Sequence, residues 1–279
     1  MTNPTTNQLL WKITGNGIEQ PSYIVGTHHA CPSSYCNTIP GLMDALNEVH
    51  QVIGEVNLFE SRQISPEEKQ ELSEMMQMPQ GTTLETLFTS EEISGLNNFL
   101  LSITGQPLEK FSSMKPMTIM LTIQNQLLTQ IIPDLENLTG MDRYLQYLAK
   151  AKNKKIGGFE TMDYQMRLMY NTPLNDQAAS LLEMSKQSNI RELIQKLTQT
   201  YQSQQLEKIW ELFQEYWTDL EYDKIVKTRN LNWLSQIKEY LPTQPTLYVV
   251  GAGHLIGDYG LITLLQSEGY TLTIPQPQT

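Results

Sequence analysis

The sequence predicts an α/β fold of the α+β kind: a mixed central β-sheet with flanking helices and large helical insertions. Three observations carry that expectation. Strand signals gather at the two ends of the chain and at one place in its middle. Helical periodicity fills the long stretches between them. Strand–helix–strand order recurs at both ends, which lays helices against a sheet.

In chain order, LWKIT (10–14) and SYIVG (22–26) read as strands, and GNGIEQP between them reads as the loop of a β-hairpin. GLMDALNEV follows with Leu42, Ala45, Leu46 and Val49 at i, i+3, i+4 and i+7, an amphipathic helix. HQVIGEVNL (50–58) is a strand. A long helical stretch then opens at Ser65-Pro66-Glu67-Glu68, with Ser at the N-cap, Pro in the first helical position and acids in the first turn. KIGGFE (155–160) is a third strand-like piece, preceded by a helix carrying Tyr144, Leu145, Tyr147 and Leu148. The chain is again helical and Gln-rich to about residue 241. TLYVVGAGH (246–254) begins as a strand, LITLLQSEG is a short helix ending in Gly, and YTLTI (270–274) is an edge strand. No Pro/Gly/Ser-rich linker interrupts the chain. Residues 1–279 therefore read as a single domain, with helical insertions over about 62–153 and 164–242.

Composition excludes several classes. The chain is 39% hydrophobic and carries a net charge of -11, with 30 acidic against 19 basic residues. Nucleic acid and anionic membrane surfaces require Lys/Arg clusters, and Lys152, Lys154 and Lys155 are the nearest approach to one. No apolar run reaches the roughly 18–20 residues of a membrane span. An acidic chain draws cations. The N-terminus, MTNPTTNQLLWKI, lacks the regions of a secretory signal, so the protein is cytosolic or the chain is a mature form. Cys31 and Cys36, in CPSSYC, are equally readable as a small disulfide ring or as two free thiols.

The candidate chemistry lies where the strands end. YIVG leads to His28 and His29, QVIG to Glu55, KIGGF to Glu160 and YVVGAG to His254. In open α/β sheets, ligands bind outside the carboxyl ends of the strands, so parallel neighbouring strands would bring these groups together. The phrases YIVGTHH and YVVGAGH share Gly-x-x-His, aligning Gly26 with Gly251 and His29 with His254, two of only four histidines. His28 should point away from His29 and support the site from behind. His50 reads as a solvated loop residue. Two His with one or two carboxylates suit Mn²⁺, Co²⁺ or Zn²⁺. The blander alternatives are a rim histidine and a helix-capping glutamate. GFETMDYQ reads well as an ordinary helix start, with Thr161 or Asp163 as its cap. The doubled spacing favours the functional reading of His29 and His254. Arg229 and Asn230 interrupt an apolar stripe of Val226, Trp233, Ile237 and Leu241. They either anchor that helix to loop carbonyls or reach the crevice and meet developing negative charge.

With LLWKITGNG…YIVGTHH, IPGLMDALNEVHQVIGEVNL, GMDRYLQYLAKAKNKKIGGFETMDYQ and RNLNW…LYVVGAGHLIGDYGLITLLQSEGY in view, the sequence resembles the TraB/GumN family over almost its whole length. That family includes PrgY and the Tiki proteases. The resemblance implies a fold shared with erythromycin-esterase-like and ChaN-like proteins, and metal-dependent peptide hydrolysis of the Tiki type. It places His29, Glu55 and His254 in the site as metal ligands, with Glu55 as third ligand or as base. Glu160, Arg229, Asn230 and His28 join Glu55 as residues of the catalytic centre. The expected substrate is a peptide or small molecule. Alternatives are a haem- or peptide-binding protein without turnover and a metal-independent esterase. The resemblance and the cysteine pair together point to an extracytoplasmic location, periplasmic, secreted or lipid-anchored. The Gln- and Met-rich helices leave a homodimer open. The cysteine loop directly after the first motif departs from the family pattern.

Overall fold

A computed structural model describes residues 8–29, 31–60, 65–132, 140–187, 189–216 and 218–275. The chain divides into two compact units, one of residues 1–60, 137–161 and 196–279 and the other of residues 61–136 and 162–195. The missing linker suggests one unit, but each of the two carries an apolar cluster of its own. Residues 141–151 and 206–240 pack with the sheet, and positions 62–64 and 133–139 of the first insertion lie outside the described residues.

The first unit holds one six-stranded sheet: β1 (Leu10–Gly15), β2 (Ser22–Thr27), β3 (Gln51–Val56), β4 (Lys155–Glu160), β5 (Thr246–Gly251) and β6 (Tyr270–Thr273). Their order is β4-β3-β5-β2-β1-β6. β4, β3, β5 and β2 run parallel, β1 is antiparallel to β2, and β6 is antiparallel to β1, so the sheet is mixed, as expected. Every residue of β2 is buried, as are the first five of β5, whereas β6 alternates buried and exposed. Covering both faces of the central strands explains their unbroken apolar runs, and the half-solvated edge explains the alternation in β6.

The helices in chain order are α1 (Leu42–Glu48), α2 (Pro66–Met76), α3 (Ser90–Thr104), α4 (Pro116–Ile131), α5 (Met141–Ala151), α6 (Met162–Tyr170), α7 (Leu174–Lys186), α8 (Ile190–Gln202), α9 (Leu206–Tyr216), α10 (Asp219–Tyr222), α11 (Thr228–Tyr240) and α12 (Leu261–Ser267). α5 buries Met141, Leu145 and Ala149, and α11 buries Trp233 and Ile237 with the sheet's core. Each such large side chain contributes about 1.5–3 kcal/mol on removal from water. Between α10 and α11 a π-helical turn, Asp223–Lys227, joins the Thr228 N–H to the Asp223 carbonyl. Such turns are rare and often sit beside functional sites.

In the second unit, α2 and α3 begin with capping boxes, Ser65 with Glu68 and Thr89 with Glu92. Reciprocal bonds there satisfy two otherwise orphaned N–H groups. Leu96, Leu100, Ile119, Ile123, Leu127 and Leu181 form the centre of this unit's core. Among the described residues no helix is long and apolar enough to cross a membrane.

Candidate active site at the strand ends

Four parallel strands side by side deliver their last residues to one edge of the sheet. Glu160 closes β4, Glu55 stands one residue before the end of β3, His254 follows β5, and His28 and His29 follow β2. The two Gly-x-x-His phrases are staggered in space. Thr27 pairs with Gly251 and Gly26 with Val250, one residue off the alignment of the phrases themselves.

The centre of the site is the guanidinium of Arg229, from the first turn of α11. Its Nη2 donates to Glu55 Oε2 at 2.6 Å and to Glu160 Oε2 at 2.9 Å. Nε donates to Glu160 Oε1 at 3.0 Å, and Nη1 reaches the Ile225 carbonyl of the π turn at 3.3 Å. Trp233, one turn further along α11, donates its indole N–H to Glu160 Oε1 at 2.9 Å and lies 4.6 Å below the guanidinium. Glu160 thus anchors both Arg229 and Trp233. Glu55 Oε1 accepts the Gly251 N–H at 2.8 Å. Burial works against the charged Glu55, but His254, Arg229 and the Gly251 amide outweigh it and hold the carboxyl at about 2. A buried pair with this many bonds holds together because every charge has partners; removing one partner is costly.

His254 is buried, and its tautomer follows from its neighbours. Asn230 Nδ2 donates to the carbonyls of His254 and Tyr259, at 3.0 and 2.7 Å. Its Oδ1 therefore faces His254 Nδ1, at 2.7 Å, and accepts the proton there. Nε2 is left with a lone pair, 3.1 Å from Arg229 Nη1 and 3.9 Å from Glu55 Oε1. Burial, reinforced by Arg229 against the pull of Glu55, lowers His254 to about 4, so the ring is neutral at neutral pH. Asn230 both ties α11 to the loop carbonyls and orients the imidazole.

The motif glycines admit this geometry by close approach. A Cβ on Gly26 would lie 2.9 Å from Ala252 Cα and 2.8 Å from Leu255 Cδ1, inside the 3₁₀ turn that carries His254. A Cβ on Gly251 would lie 3.3 Å from Glu55 Oε1.

His29 goes elsewhere. β5 enters a 3₁₀ turn that folds His254 inward, whereas after β2 the Cys31 N–H bonds back to the His28 carbonyl and His29 is 77% exposed at its side chain. Its Nδ1 lies 3.5 Å from Asp142 Oδ2, and that carboxylate raises it to about 9. Its charge is felt by both Glu55 and His254, so it borders the same site. Even so, among the described residues no three His, Cys, Asp or Glu stand together so as to hold a metal ion. The expected set of His29, Glu55 and His254 is not gathered as three donors, because the two motifs leave their strands by different turns. The two expected donors that come nearest are His254 Nε2 and Glu55 Oε1, 3.9 Å apart, with Arg229 Nη1 3.1 Å from that nitrogen and the Gly251 N–H on that oxygen. The amide oxygen on the opposite imidazole nitrogen is a usual support for such a ligand.

His28 packs edge-on against Tyr201, with ring centroids 5.1 Å apart, and burial lowers it to about 4. Cys31 and Cys36 are buried free thiols, pushed up to about 12 by burial. His50 is exposed, as expected of a loop residue. Sequence reasoning missed Asp142, the indole of Trp233 and the Gly251 amide. Asp142 lies within GMDRY, where an acid in a first helical turn has an ordinary explanation.

No curated protein and no solved structure gives a significant match to this chain. The model of the TraB/PrgY/gumN family matches residues 9–274, which takes in every strand and every residue of the site. The chain belongs to the TraB/PrgY/gumN family.

Proposed function

We propose that this chain is a metal-dependent hydrolase, acting on peptide bonds in the manner its resemblance to the Tiki proteases implies. The observation that supports this most is the neutral His254, whose Nε2 lies 3.9 Å from the ionised Glu55 and 3.1 Å from Arg229 Nη1. A carboxyl held at about 2 and an imidazole held at about 4 are poor bases at neutral pH. Both are well suited to be ligands, which need to be deprotonated. His254 and Glu55 would hold the ion. A divalent ion there supplies Lewis acidity, polarising a carbonyl and acidifying water.

The remaining groups bind and orient. Asn230 holds the proton of His254 on Nδ1 and so leaves the lone pair on Nε2, beside Arg229 and Glu55. Gly251 and Arg229 fix the two oxygens of Glu55. Glu160 and Trp233 hold Arg229 in place. Nη1 is the Arg229 nitrogen not bound to a carboxylate; it reaches the Ile225 carbonyl and His254 Nε2, so it would meet negative charge developing on a substrate oxygen only by giving up one of those contacts.

One observation favours a second reading, ester hydrolysis without an ion. Arg229 Nη1 lies 3.1 Å from His254 Nε2 and is already a cation beside the lone pair. The test is hydrolysis of a fluorogenic peptide mixture and of p-nitrophenyl acetate by the pure chain, with Mn²⁺, Co²⁺ or Zn²⁺ or with a chelator. Ion-dependent peptide cleavage that disappears in Glu55→Gln and His254→Ala supports the proposal. Ester cleavage indifferent to chelator supports the second reading instead. A folded protein that cleaves neither substrate under any ion overturns both.

A further inference from the structure

One acidic side chain at the site lies outside the cluster around Arg229. Asp142 stands in the first turn of α5, its side chain 18% exposed. One of its oxygens accepts from the hydroxyl of Thr27, the last residue of β2, at 2.8 Å. That hydroxyl also lies 3.1 Å from the Val250 carbonyl of β5, and Thr27 is buried. The other oxygen faces His29 Nδ1 at 3.5 Å. A continuous polar path therefore runs from β5 through Thr27 and Asp142 to the exposed imidazole.

The geometry points to Asp142 as the positioning residue of His29: it takes the Nδ1 side of the ring and leaves Nε2 as the nitrogen offered to the crevice. A carboxylate on one imidazole nitrogen fixes both the tautomer and the ring orientation. His254 has the same arrangement, with the Asn230 amide oxygen in place of the carboxylate. The two Gly-x-x-His histidines are then presented alike, each held at Nδ1 by a residue from a different helix and each working through Nε2. The choice of partner separates them. The amide of Asn230 suits a ring that stays neutral, while the carboxylate of Asp142 tolerates either protonation state of His29.

A purely structural alternative exists, since an acid in the first turn of a helix stabilises it through the helix dipole. That role would not reach the nitrogens of His29. The deciding measurement is therefore the side-chain ¹H–¹⁵N spectrum of the full chain labelled at its four histidines, with His29→Ala assigning the signals. The wild type should carry a proton on His29 Nδ1 that exchanges slowly with water. Asp142→Ala should lose that slow proton and average the two nitrogens, with the His254 pattern unchanged. A bare Nδ1 in the wild type overturns the assignment without any variant, and so does an unchanged His29 pattern in folded Asp142→Ala or Asp142→Asn. If Asp142→Ala does not fold, the wild-type spectrum still decides.

What the Nε2 of His29 then does rests on the hydrolase reading, but the spectrum needs no turnover, so the two can fail separately. With Mn²⁺ as probe, Asp142→Ala should leave the affinity unchanged, because His254 and Glu55 and not His29 would hold the ion; a loss of about 10-fold or more would overturn a role confined to positioning at the rim.

Discussion

Arg229 Nη2 donates to Glu55 Oε2 at 2.6 Å, and this bond fastens α11 to the end of β3. Glu55 in turn receives the Gly251 amide of β5, and Arg229 also holds Glu160 of β4. One guanidinium thus ties three strand ends to one helix.

Replacing Arg229 by Met should therefore destabilise the protein by roughly 3–5 kcal/mol, because two buried carboxylates lose their shared cation. Urea denaturation measures the loss. Adding Glu160→Gln to Arg229→Met should recover part of it, since one uncompensated charge disappears. An Arg229→Met protein as stable as the parent would show that the cluster is not held electrostatically.

Asn230→Leu keeps the volume and removes the bonds to two carbonyls and to His254 Nδ1. Each buried group left unpaired costs about 1–3 kcal/mol, so a loss of several kcal/mol is expected. The melting temperature reports it. A change below about 0.5 kcal/mol would mean that water takes the place of the amide.

Stability should peak near pH 6.5. His254 is buried and His28 half-buried, both with values lowered to about 4 from 6.5, so the unfolded chain takes up protons first as the pH falls. Stability is lost between those two values, by at most about 3 kcal/mol for each ring. Glu55, also lowered, contributes stability above pH 4.5 that is lost as the pH falls toward 2. His29 is raised to about 9, so its contribution is complete below 6.5 and fades as the pH climbs through 9. That part is small, because the ring is open to solvent. Thermal melts across pH 3–10 should trace this asymmetric dome, and a flat profile from pH 4 to 7 would contradict the neutral imidazoles.

Gly26→Ala forces a methyl against Ala252 and Leu255 and should cost about 1–3 kcal/mol. Gly95, in the interior of α3 with nothing within 4 Å of an added Cβ, is the contrasting site. Gly95→Ala should stabilise the protein by about 0.5–1 kcal/mol. Equal effects at both positions would refute the close-approach argument for Gly26.

Divalent ion should add stability of its own if His254 and Glu55 hold it. Saturating Mn²⁺ raises the melting temperature in that case, since a ligand bound only to the folded state shifts the equilibrium. Glu55→Gln should abolish the shift.

The sequence by itself determined the strands, the helix start at Ser65, and the presence of Glu55, Glu160 and His254 at strand ends. Those features are local: apolar runs, capping side chains and turn-forming glycines act within a few residues and can be read in a line. Tertiary structure alone decided that Arg229 would be the cation between the two carboxylates, that Asp142 would face His29, and that the chain would have two cores. It also separated two nearly identical phrases, turning His254 inward and His29 toward water. The direction in which a chain leaves a strand depends on what packs against the next turn, and Ala252 and Leu255 reach Gly26 only once β5 lies beside β2.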